Sequence, residues 1–113
     1  MSQFEFIRAL SVLAELSPEM NIQMARVFMF VAQRGLVNQK EIQNEIVGTN
    51  SSASRNVSWW CDTKFYGKPG AGYLERYEDP RDRRYKLIRL TPEGQQFYEK
   101  LKQALKYPAN KAA

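Results

Sequence analysis

The chain has 113 residues, 43% of them hydrophobic and 26% charged, enough to bury one core but not two. It contains no histidine and one cysteine, Cys61, which removes the commonest metal ligand, the usual general base and any internal disulfide framework. The net charge of +5 favours a polyanionic partner.

No apolar run approaches the length of a membrane span, and MSQFEFIRAL lacks a signal peptide's order of charge then apolar residues. A cytoplasmic location is expected. Neither a glycine-rich phosphate loop nor a nucleophile elbow is present. The sequence thus reads as a binding protein without a cofactor or metal, and not as an enzyme.

Ser2-Gln3-Phe4-Glu5 reads as a capping box. Phe6, Leu10, Leu13 and Ala14 follow at helical spacing, which predicts a first helix over about residues 3–16. Ser17-Pro18 breaks it. A second helix starts near Asn21, carries Met24, Val27, Phe28 and Val31 on one face, and stops at Gly35. Asn38-Gln39-Lys40-Glu41 is another capping box, with Ile42, Ile46 and Val47 behind it and Gly48 closing a short helix. The run TNSS at 49–52 supplies N-cap candidates for a further helix, predicted over 51–63. Two short helices joined at a glycine have the outline of a helix-turn-helix.

KFYGKPGAG at 64–72 is a turn-rich segment. Tyr73–Tyr77 and Tyr85–Thr91 read as two strands on either side of a charged turn. Thr91-Pro92-Glu93 then opens a last helix, with threonine as N-cap, proline at the first helical position and glutamate at the positive dipole end. Phe97, Leu101 and Leu105 form its apolar stripe, and Pro108 ends it. The expected fold class is α+β, mainly α: a winged helix-turn-helix with a two-stranded hairpin as wing. One domain spans 1–113. It divides into an N-terminal helix at 1–17 that suits a dimer contact, a winged-helix core at 21–91, a C-terminal helix at 92–107 and a loose tail at 108–113.

Within helix 51–63, Ala53, Val57, Trp60 and Cys61 fall on one face and should pack inward. Ser51, Ser52, Ser54, Arg55 and Ser58 are left for the other faces, where short polar groups and an arginine suit the major groove. Trp59 reads as partly buried under the 64–72 loop, with contact to a partner chain or to DNA as the alternative. Cys61 points inward and reads as structural, not as a redox sensor.

The wing, 78–86, carries the densest charge in YEDPRDRRYKLIRLT. Asp79 or Asp82 can pair with Arg84 and stiffen the hairpin. Arg81 and Arg83 then remain near the tip, where a guanidinium can enter a narrow minor groove. Arg84 is counted with them on the DNA side. Arg76, Lys86 and Arg89 flank the wing as phosphate contacts, and Lys64 and Lys68 extend the same surface.

Residues 22–101 resemble the winged-helix core of the multiple-antibiotic-resistance-regulator (MarR) family of bacterial transcription factors. The most specific match is Asp79-Pro80-Arg81-Asp82-Arg83-Arg84 followed by Leu87-Ile88-Arg89-Leu90-Thr91-Pro92-Glu93-Gly94, similar to that family's wing signature. Gln39-Lys40-Glu41-Ile42 looks like the helix before its recognition helix, and Ser54-Arg55 with Val57 resembles the Ser-Arg-x-Val of the recognition helix itself. The 64–72 link is longer than usual and the terminal helices are modest; the short length and the GKPG insertion look more like winged-helix proteins of phages and mobile elements. The resemblance implies a homodimeric, sequence-specific regulator that binds double-stranded DNA. Helix 51–63 would lie in the major groove and wing 78–86 in the minor groove. The alternative is a winged-helix adaptor that binds a protein such as RNA polymerase or a repressor.

Overall fold

The computed structural model describes residues 2–61 and 70–106. Among them the chain forms α1 (Gln3–Ala14), α2 (Ile22–Arg34), β1 (Leu36–Asn38) and α3 (Gln39–Ile42), which continues as a π turn over Gln43–Val47. Next come α4 (Asn50–Trp60), β2 (Leu74–Asp79), β3 (Asp82–Leu90) and α5 (Pro92–Lys106). The three strands make one antiparallel sheet in the order β1-β3-β2.

The helix ends follow the local chemistry. Ser2 accepts a hydrogen bond from the Glu5 N–H, and Asn21 from the Met24 N–H. At Asn38 the capping box is complete: its side chain accepts from the Glu41 N–H at 2.9 Å, and the Glu41 carboxylate accepts from the Asn38 N–H at 3.1 Å. Gly48 closes the α3 segment with φ +86°, a left-handed geometry that costs glycine nothing and lets the chain turn into α4.

The core gathers Val27, Phe28 and Val31 of α2, Ile42, Ala53, Val57 and Trp60 of α3 and α4, Leu74 and Ile88 of the hairpin, and Phe97 and Leu101 of α5. Trp60 is its centre. Its ring lies 4.7 Å from Phe28 and 6.2 Å from Tyr73, and its indole N–H donates to the Met24 carbonyl at 2.9 Å. Thr91 caps α5 by accepting from the Gly94 N–H at 3.0 Å, while its hydroxyl donates to the Gly72 carbonyl at 2.7 Å. Gly94 is needed for close approach: a Cβ there would sit 1.9 Å from the Tyr73 carbonyl oxygen.

Four expectations are corrected. α4 stops at Trp60, short of 63, with Cys61 extended as its C-cap. The returning chain occupies the carbonyls that another helical turn would use: the Ala71, Gly72 and Tyr73 N–H groups donate to the Trp59, Cys61 and Trp60 carbonyls. The hairpin strands run through most of the charged segment, leaving only Pro80 and Arg81 between paired Asp79 and Asp82. β1 adds a third strand, pairing Val37 with Ile88. Finally, of the α1 stripe only Leu13 is buried, whereas Phe6 and Leu10 are 51% and 44% exposed. Pro108 and the tail lie outside the described residues.

Candidate nucleic-acid interface

α3 and α4 form the helix-turn-helix, and the β2–β3 hairpin projects beside it. α4 presents Ser51 and Arg55 to solvent, with Ser52 and Ser54 half-buried. Its first turn contains no acidic residue, unlike those of α1, α3 and α5, which carry Glu5, Glu41 and Glu93. Its exposed N–H groups are therefore free of a carboxylate that would repel a phosphate.

Ser58 and Arg76 are placed otherwise than expected. Ser58 is buried, and its hydroxyl accepts from the Arg76 guanidinium at 2.8 Å. Arg76 lies on β2 but turns inward, donating also to the Gln39 side chain at 3.0 Å and to the Ser54 carbonyl and hydroxyl at 3.3 and 3.4 Å. An arginine expected on the outer surface is instead held between α3, α4 and the hairpin.

At the wing the two aspartates divide the work. Asp82 takes Arg84, accepting from its Nε at 3.0 Å and from Nη2 at 2.7 Å. Asp79, buried beside the bulge at Glu78/Asp79, takes Arg81, accepting from its backbone N–H at 2.9 Å and from Nε at 3.4 Å. The Arg81 backbone N–H holds the Asp79 carboxyl below its ordinary value, and the Arg84 side chain does the same for Asp82. Both stay anionic at neutral pH and bracket the tip.

Arg83 differs from its neighbours. It is exposed, and among the described residues it has no ion-pair or hydrogen-bond partner. Lys86 lies 3.8 Å from Glu78, and Arg89 is paired with Glu75 and stacked 4.9 Å over Tyr77. Lys64 and Lys68 fall outside the described residues.

Trp59 is half-buried. Its indole N–H donates to Glu19 at 3.1 Å, and its ring meets Trp60 edge-on at 5.0 Å. Cys61 is also half-buried, less enclosed than the helical stripe suggested, because it sits beyond the last helical turn.

Sorting the cations by partner isolates one surface. Arg34, Arg81, Arg84, Lys86, Arg89, Lys100 and Lys102 all face carboxylates. Arg8 and Arg26 donate to the backbone carbonyls of Ala104 and Ile46. Among the described residues Lys40, Arg55 and Arg83 have neither a carboxylate nor a hydrogen-bond partner, and they come from α3, α4 and the hairpin, with Arg76 held on neutral acceptors between these elements. Lys40 is an addition to the expected set; its place just inside the second capping box was the available signal. A cleft of about 470 Å³ at the α1–α5 junction has the opposite character, since Glu15 and Glu93 line it with one cation, Lys100.

No family model matches the sequence, and no curated protein matches it. Solved structures do match its shape. RV1404 from Mycobacterium tuberculosis aligns at TM-score 0.72 and 17% identity, over 95% of this chain and 67% of that one. NadR, solved with 4-hydroxyphenylacetate, aligns at TM-score 0.69 and 17% identity over 96% of this chain and 70% of its own. A mutant MarR from E. coli, complexed with operator DNA, aligns at TM-score 0.67 and 17% identity, covering 92% of this chain and 67% of that one. The fold is the MarR winged helix-turn-helix.

Proposed function

We propose that this chain is a sequence-specific transcriptional regulator that binds double-stranded DNA as a homodimer in the cytoplasm. The observation that carries the reading is that, among the described residues, the cations with no ion-pair or hydrogen-bond partner, Lys40, Arg55 and Arg83, stand on α3, α4 and the wing. Cations that already face carboxylates contribute little net field, whereas these leave a positive stripe along the elements that a winged helix lays on a duplex. That a similarly folded MarR was solved complexed with operator DNA supports duplex DNA as the partner.

In this reading α4 enters the major groove with Ser51, Ser52, Ser54 and Arg55, and Arg55 is the side chain able to take guanine O6 and N7 together. Lys40 meets the backbone, and Arg83 goes into the minor groove from the wing tip. Arg81, Arg84 and Lys86 contact phosphates around it. Asp79 and Asp82 hold the turn.

A second copy would cover the outer face of α1. Phe4, Phe6, Ile7 and Leu10 are 67%, 51%, 60% and 44% exposed on one short helix, an apolar patch that a soluble monomer rarely leaves in water. Ile7→Glu combined with Leu10→Glu is expected to turn a dimer into a monomer in sedimentation velocity. Operator affinity should then fall by ~100-fold or more as the second half-site is lost. A double variant that sediments and binds like wild type would remove α1 from the interface.

The decisive experiment is selection from a random duplex library with purified protein. A recovered palindrome with half-sites about one helical turn apart is the expected result. Recovery of no sequence, together with salt-insensitive capture of RNA polymerase or a repressor, would replace the regulator by an adaptor.

A further inference from the structure

We infer that Arg76 is a positioning residue that fixes the wing relative to the recognition helix; the inference rests on the DNA-binding reading above. Along β2 the inward face carries Leu74 and then Arg76, whose cross-strand neighbour on β3 is Ile88. Leu74 and Ile88 are fully buried and anchor the base of the hairpin in the core. Past Arg76, Glu78 on the same strand is exposed and faces Lys86. Arg76 is thus the outermost tie on this face before the hairpin leaves the body of the protein.

The tie joins three elements through one rigid fork. Nη2 donates to the Ser58 hydroxyl at 2.8 Å, while Nη1 reaches the Gln39 side chain at 3.0 Å and Ser54 at 3.3 and 3.4 Å. Ser54 and Ser58 stand one turn apart on α4, a separation that a planar guanidinium can span and a lysine ammonium cannot. The angle between hairpin and α4 sets where the wing arrives once α4 is seated, and so sets which stretch of minor groove Arg83 meets. Each acceptor is neutral, so the fork keeps its full charge between helix and wing.

The test uses the full chain and the duplex recovered with wild type. In the free protein, NMR residual dipolar couplings report the orientation of the hairpin relative to α4. Arg76→Lys is expected to shrink the couplings of residues 77–87 toward zero while those of α2 and α4 keep their size. Ser58→Ala should produce a smaller loss in the same residues. On DNA, Arg83→Ala should cost about tenfold or more in wild type but less than about threefold in the Arg76→Lys background, because a loosened wing no longer delivers Arg83.

Unchanged hairpin couplings in Arg76→Lys would overturn the inference whatever the DNA data. Equal Arg83 penalties in both backgrounds would make Arg76 an independent phosphate contact and overturn it as well. A wild type that binds no duplex, while Arg76→Lys still loosens the hairpin, would keep the strut and sink the regulator reading instead.

Discussion

Arg83→Ala is expected to lower affinity for the selected duplex by ~10- to 100-fold and to make the plot of log affinity against log salt shallower by about one unit per wing. The size follows from what Arg83 lacks. Arg81 and Arg84 are held by Asp79 and Asp82, so DNA must compete with an existing carboxylate for them. Arg83 stands exposed between them with no such partner among the described residues. Its charge is available at no cost in broken pairs, and a minor groove of enhanced negative potential is where it gains most. Arg81→Ala is the matched control, with an expected loss under about threefold since a paired surface arginine contributes little net charge. Equal losses for the two variants would end the distinction between them, and an Arg83→Ala protein that binds like wild type would end the wing assignment.

That distinction was not available from the order of residues. Asp79 and Asp82 are each two positions before an arginine, so the spacing allows several pairings. The bulge at Glu78/Asp79 decides among them by turning Asp79 inward, where the Arg81 N–H meets it. The same segment reads as a loop because its charges interrupt the alternation that marks a strand. In the folded chain they are strand residues: Glu78 faces Lys86 and Glu75 faces Arg89 across the ladder, pairs that suit a solvated hairpin. β1 is three residues long and too short for any pattern, and it exists because the edge of β3 is there to pair with it.

Capping chemistry was legible because it is local. Asn38 and Glu41, or Thr91 and Gly94, need only each other and one turn of backbone. Periodicity also located the α2 core face correctly, since Met24, Val27, Phe28 and Val31 are all buried. On α1 the same signal marks an apolar face but is silent on what covers it: Leu13 goes to the core while Phe6 and Leu10 stay outside. Arg76 shows the limit most plainly. A cation in mid-strand looks like surface until Gln39, Ser54 and Ser58 arrive from two other elements to receive it.

Trp60→Ala is expected to destabilise the fold by ~3–5 kcal/mol, a large share of the ~5–15 kcal/mol that holds a domain of this size together. The ring is fully buried among Phe28, Tyr73 and Phe97, and no neighbour can collapse into the space without leaving its own contacts. The Met24 carbonyl also loses its indole donor. Trp60→Phe separates the two contributions: it keeps most of the apolar volume and should cost ~1–3 kcal/mol, for the lost indole hydrogen bond and the smaller ring, while the Met24 carbonyl keeps its place in the α2 ladder. Adjacent Trp59 is the internal reference, because it is only half-buried and its alanine variant should cost less than Trp60→Phe. Urea midpoints for the three variants check the order, with the slope showing whether two-state unfolding persists. Trp59→Ala proving as costly as Trp60→Ala would show that both indoles support the core. If the expected order holds, α4 is pinned through Trp60, and the face bearing Ser51 and Arg55 is fixed by the last residue of the same helix.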